Sequence, residues 1–160
     1  MLLSPQHDVH SNEANCRQIA HRARDHLSQK RPRFPVSAVQ HEQITRLFIE
    51  MCANGNVEGV VALLADEAIL YSDGGGKVSA AMCPILSAQK IARMIFGILR
   101  KAPANIQFAL HSVNGRLGIV TYLDGKPDQT MTFDIRDQRI RAIYVVRNPD
   151  KLGDVPPLEA

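Results

Sequence analysis

Six side chains of this protein could run proton chemistry: Asp73, Asp134, His111, Tyr71, Tyr122 and Tyr144. In a closed pocket a carboxylate serves as a general base, and a tyrosine or a protonated acid stabilises an oxyanion. No two of the six stand at a spacing that marks a catalytic set. The tyrosines fit amphipathic packing equally well, and His111 fits an ordinary strand position. Cys16, Cys52 and Cys83 are odd in number and lack a CxxC spacing, which argues against a disulfide framework or a zinc site. They read as one helix thiol and two buried small hydrophobes. No metal-ligand spacing is present, so the expectation is no catalytic residue, no metal and no cofactor.

Two short motifs carry more information. Asp73-Gly74-Gly75-Gly76-Lys77 follows a predicted strand. It lacks the GxxxxGK[ST] spacing and opens no helix, so it is not a phosphate-binding P-loop. Three glycines permit positive φ and close backbone approach, and opposite charges flank them. A plain hairpin turn is the simpler alternative. Asn148-Pro149-Asp150-Lys151-Leu152 follows the last predicted strand and has the residue types of a turn that stops the chain.

The elements that must position these residues follow from periodicity and punctuation. Residues 11–30 read as a helix with Ser11 as N-cap and Ala14, Ile19, Ala23 and Leu27 as its apolar stripe. Residues 30–35 hold two prolines and read as a linker. Ile44, Leu47, Phe48 and Met51 recur three and four apart, predicting a helix over 39–53. A short helix over 57–64, a strand over 68–72 and a return strand over 77–83 follow. Ser87 caps a helix over 88–101. Strands are predicted over 105–113, 116–123, 129–136 and 138–147, separated by Asn114-Gly115, Asp124-Gly125 and Asp137-Gln138. Along the last strand Ile140, Ala142, Tyr144 and Val146 share one face, while Arg139, Arg141, Ile143, Val145 and Arg147 share the other.

The 160 residues allow one full domain and a short appendage. The net charge of +3 is carried by the first 34 residues, which hold six basic against three acidic side chains. A concentrated basic segment suits a polyanion such as DNA. No apolar run is long enough to span a bilayer and no secretory signal is visible, so the expected location is cytoplasmic, with no membrane partner.

Three helices, a hairpin and a four-strand meander make the order of the cone-shaped α+β fold known as SnoaL-like, ketosteroid-isomerase-like or nuclear-transport-factor-like. The expectation is three helices against a curved antiparallel sheet, preceded by one isolated helix. Such cones enclose a pocket, for which Tyr71, His111, Tyr122, Phe133 and Tyr144 are the lining candidates. The basic helix Cys16-Arg17-Gln18-Ile19-Ala20-His21-Arg22-Ala23-Arg24 is similar to the recognition helix of sigma region 4. Taken with the two motifs and Val113-Asn114-Gly115, the chain resembles the C-terminal part of an extracytoplasmic-function RNA polymerase sigma factor with a fused SnoaL-like domain.

That resemblance implies a remnant of sigma region 4 over 1–34, a SnoaL-like domain over 35–152 and a loose tail over 153–160. It implies contact with sigma regions 2 and 4 through Asp73, Gly74, Gly75, Gly76, Lys77, Asn148, Pro149, Asp150, Lys151 and Leu152. Promoter DNA would be met through Arg17, Gln18, His21, Arg22 and Arg24 if region 4 were complete, and the polymerase core through a full sigma factor. Region 2 and the earlier helices of region 4 have no counterpart in these residues. Asp8-Val9-His10 stands where the family has a Leu-Gly pair. The expectation is therefore a regulatory domain of a truncated sigma factor rather than an enzyme, with room for a small apolar ligand and for a homodimer through the open sheet face. The alternative is a stand-alone SnoaL-like small-molecule-binding protein, isomerase, cyclase or hydrolase.

Overall fold

A computed structural model describes residues 16–18, 21 and 36–159. Three helices, α1 (Ala38–Ala53), α2 (Val57–Leu63) and α3 (Ala88–Arg100), pack on a six-stranded sheet. The strands are β1 (Leu64–Asp73), β2 (Ile85–Leu86), β3 (Ile106–Val113), β4 (Arg116–Leu123), β5 (Lys126–Arg136) and β6 (Arg139–Val146). Each helix starts on a side-chain cap that accepts an orphan N–H: Ser37 from Gln40, Asn56 from Gly59 and Ser87 from Lys90. The β3–β4 and β4–β5 hairpins turn on Asn114-Gly115 and Asp124-Gly125, all four at positive φ, as two-residue connections require.

The strand order is β2-β1-β6-β5-β4-β3. The α+β cone-like architecture is present, but the sheet is mixed rather than antiparallel throughout. β1 runs parallel to β6, with Asp73 opposite Val146. A meander places β6 beside β5, and the chain order then leaves β1 to close on the far side of β6 in the same direction. Parallel neighbours end at the same edge of the sheet, so the segments leaving β1 and β6 emerge side by side.

The core lies between helices and sheet. Phe48, Val60, Ile91 and Ile95 meet Leu70, Ile119, Phe133, Ile143 and Val145. Leu70, Ile91 and Ile143 are fully buried, and each such side chain contributes about 1.5–3 kcal/mol of burial. Phe48 and Phe133 meet at a ring separation of 5.0 Å.

Two expectations are corrected. Residues 77–83 form no strand; the return pairing is confined to Ile85–Leu86 against Ile69 and Leu70. Residues 74–84 are a loop held by side chains, with the Arg147 guanidinium donating to the Ser79 carbonyl (2.6 Å). The alternation along β6 also breaks. Asp134 faces Ala142, but Ile135 faces Ile140, so Arg141 is an extra residue in a bulge. A one-residue insertion flips parity, which sets Ile140 in the helix-facing core beside Ile143 and Val145 and puts Ala142, Tyr144 and Val146 on the other side of the sheet. The segment expected to be a loose tail makes two hydrogen bonds back to the domain. The Leu158 N–H donates to the Gly125 carbonyl (3.2 Å), and the Tyr122 hydroxyl donates to the Pro156 carbonyl (3.2 Å).

Candidate functional site

The parallel β1–β6 pair brings the two motifs together. Asp73 ends β1, and its carbonyl accepts from the Arg147 N–H (2.7 Å) and the Asn148 N–H (3.0 Å) just beyond β6. Its carboxylate divides its oxygens: Oδ1 accepts from the Gly75 N–H (2.9 Å) and Oδ2 from Lys151 Nζ (2.7 Å). On the opposite side Lys77 Nζ donates to both carboxylate oxygens of Asp150 (2.8 and 2.7 Å). Each motif thus supplies an aspartate to the other motif's lysine, across 73 and 78 residues of sequence.

Local backbone chemistry shapes both halves of this clasp. Gly75 sits at φ +61, and a Cβ there would collide with the Asn148 carboxamide. Only glycine fits a left-handed position against so close a neighbour. Asn148 Oδ1 accepts from the Asp150 N–H (3.1 Å) and caps a single 3-10 turn over Pro149–Lys151, with Pro149 pre-set for its first position. Leu152 ends that turn and is buried, anchoring the exposed charges to the domain. Arg147 adds a brace, reaching Ser79 and, at 3.4 Å, the Asp128 carboxylate.

The four charged side chains remain in water, with side-chain exposures of 54% for Lys77, 64% for Asp150, 62% for Lys151 and 37% for Asp73. Exposed pairs of this kind contribute about 0–1 kcal/mol each and weaken with salt. The hydrogen bond from Lys151, then that from the Gly75 N–H, holds the Asp73 carboxyl below its usual value of 3.8. Chemically, the clasp is an exposed, net-neutral patch of alternating charge.

The pocket candidates do not converge. Tyr71 and Tyr144 stack face to face on β1 and β6, 5.5 Å apart, on the sheet side away from the helices. Burial, followed by the Asp134 carboxylate, raises the Tyr144 phenol. Tyr122 is fully buried on β4, where its hydroxyl sits 3.0 Å from His111 Nε2. Burial raises its phenol too. Phe133 lies on the opposite sheet side, in the helix-facing core against Phe48. The five candidates are thus split between the two sides of the sheet and the β3–β4 pair. An open cleft of about 400 Å³ lies elsewhere, where the start of α1 meets the ends of β4 and β5. His41, Glu42, Arg116, Asp134 and Arg136 supply its polar groups. The buried His41 ring meets the Phe133 carbonyl through Nε2 (3.2 Å), and Asp134 pairs with Arg136 at 3.2 Å. Among the described residues no group of three or more His, Cys, Asp or Glu side chains is placed to hold a metal ion.

Of the DNA-contact candidates, Arg17, Gln18 and His21 are helical and exposed. Arg22 and Arg24 lie outside the described residues, as does most of the predicted first helix. The cysteine reading is corrected: Cys16 on that helix is disulfide-bonded to Cys83, the residue before Pro84 in the 74–84 loop. Spacing gave no hint, because a pair 67 residues apart is set by tertiary contact. Arg147 was also missed as a brace, although it directly precedes Asn148.

Comparison with known proteins supplies the wider setting. No family profile matches the chain. The extracytoplasmic-function RNA polymerase sigma factor SigJ of Mycobacterium tuberculosis is 28% identical over 159 aligned positions, covering 91% of this chain and 50% of SigJ. The SigJ crystal structure superposes with a TM-score of 0.62 at 25% identity, over 89% of this chain and 51% of that one. The chain is homologous to SigJ. A probable sigma factor of the same organism, SigI, is 39% identical over 56 residues, 35% of the chain and 19% of SigI. An NTF2-like protein of unknown function from Mesorhizobium loti shares the fold alone, with a TM-score of 0.52 and 16% identity over 71% of the chain and 95% of that protein. The chain spans about half the length of SigJ and less of SigI.

Proposed function

We propose that this chain acts as the regulatory, SnoaL-like part of an extracytoplasmic-function sigma factor, working in the cytoplasm on transcription initiation. The clasp is its contact surface for sigma regions 2 and 4, and through them it tunes engagement of the polymerase core and promoter. The carrying observation is the crosswise pairing of Asp73 with Lys151 and of Lys77 with Asp150. Two motifs that serve only a chain turn have no need of each other's charges. As an exposed patch it can hand those pairs to a partner with little desolvation, giving specificity and salt dependence rather than raw affinity.

The test is titration of the chain with a fragment holding sigma regions 2 and 4. Asp73→Ala or Asp150→Ala is expected to weaken binding about fivefold, the equivalent of roughly 1 kcal/mol, with the fold intact by circular dichroism. Unchanged affinity in both variants would end this reading.

A second reading, small-molecule binding, draws on the cleft beside His41 and Arg116. It requires saturable binding of a ring compound that His41→Ala abolishes.

A further inference from the structure

We propose that Cys16 and Cys83 form a reversible redox cross-link that fixes the N-terminal helix to the clasp-bearing 74–84 loop. Their Cα atoms are 5.2 Å apart, inside the range a disulfide needs. Both are half-buried, so a small reagent can reach them. They come from separate segments, and the bond ties Cys16, beside the exposed Arg17 and Gln18, to the loop that starts at Gly74 and is braced by Arg147 through Ser79.

The third cysteine makes the chemistry selective. Cys52 lies on α1, and burial pushes its thiol up to about 11. Little of it is thiolate at neutral pH, so it is a poor nucleophile. The oxidant required is a small disulfide of the glutathione type. One of the paired thiolates attacks it, giving a mixed disulfide and one released small thiol. The second cysteine, as its thiolate, then attacks the protein sulfur of the mixed disulfide and expels the second small thiol. Two protein thiols and one small disulfide become one protein disulfide and two small thiols, and a dithiol reverses the exchange. Where the surroundings are reducing the pair rests as thiols, so the link reports oxidation rather than serving as a permanent staple. Its consequence is mechanical: oxidation adds a covalent tie between the helix and the clasp loop, and reduction removes that tie. This inference stands independently of the sigma-contact reading.

The experiment treats the full chain with glutathione disulfide or with dithiothreitol. Non-reducing tryptic mass spectrometry of the oxidised chain is expected to show peptide 1–17 joined to peptide 78–90, lost on reduction. Amide exchange across residues 16–21 is expected to slow about tenfold on oxidation. Cys16→Ser and Cys83→Ser each abolish that difference, and Cys52→Ser preserves it. No 1–17/78–90 link, a link through the Cys52 peptide 47–77, or equal exchange in the two states would overturn the proposal.

Discussion

The segment after β6 is tied down twice, by opposite means. At its start, residues 147–152 are held by exposed ion pairs, Asp73 to Lys151 and Lys77 to Asp150. At its end, residues 156–158 are held by neutral hydrogen bonds, with the buried Tyr122 hydroxyl against the Pro156 carbonyl and the Leu158 N–H against the Gly125 carbonyl. The second attachment is uncharged and rests on a fully buried tyrosine, so it responds little to salt. The first is wet, individually weak and sensitive to both salt and pH. Stability concentrates where water is excluded, and adjustable contact concentrates where it is not.

The largest effect that separates the two regions comes from the uncharged one. Tyr122→Ala is expected to cost about 3–5 kcal/mol in denaturant unfolding, because it empties a fully buried site. A loss under 1 kcal/mol would show that the tail lock is incidental. Next comes the backbone of the clasp. Gly75→Ala is expected to cost about 1–3 kcal/mol from its positive φ and the collision with Asn148. Adding Asn148→Ala should recover part of that loss; no recovery would place the strain elsewhere.

Smaller still is the ion pair itself. Asp73→Asn is expected to change stability by no more than about 1 kcal/mol at neutral pH and low salt, and by less at high salt. The folded Asp73 carboxyl lies below its unfolded value of 3.8, so its stabilisation is fully present above 3.8 and disappears as pH falls through the lower folded value. Unfolding curves of wild type and Asp73→Asn should therefore converge only in acid below 3.8. Convergence already at pH 6 would contradict the pairing.

Much of the fold was legible because its signals are local. Ser87 capped a helix as expected, and Asn114-Gly115, Asp124-Gly125 and Asp137-Gln138 turned three hairpins. What escaped was nonlocal. The parallel pairing of β1 with β6 has no sequence signature, yet it makes neighbours of the two motifs. The bulge at Arg141 depends on register against β5, so alternation alone set Ile140 on a different face from Ile143 and Val145, with which it shares the core. Residues 77–83 have strand-like composition but lie in a loop because Arg147 and the glycines hold them there. The aromatic side chains were found as types, but only tertiary packing separated Phe133 from Tyr71, Tyr144, His111 and Tyr122.

The central claim is that a partner reads the clasp's charge pattern rather than merely its shape. The most direct measurement swaps one pair, Lys77→Asp with Asp150→Lys, and compares stability with affinity for the sigma region 2 and 4 fragment. The swap restores the ion pair, so stability should return to within about 0.5 kcal/mol of wild type, while affinity stays about fivefold weaker because the partner meets reversed charges. Affinity that returns together with stability would make the clasp an internal brace and contradict the account.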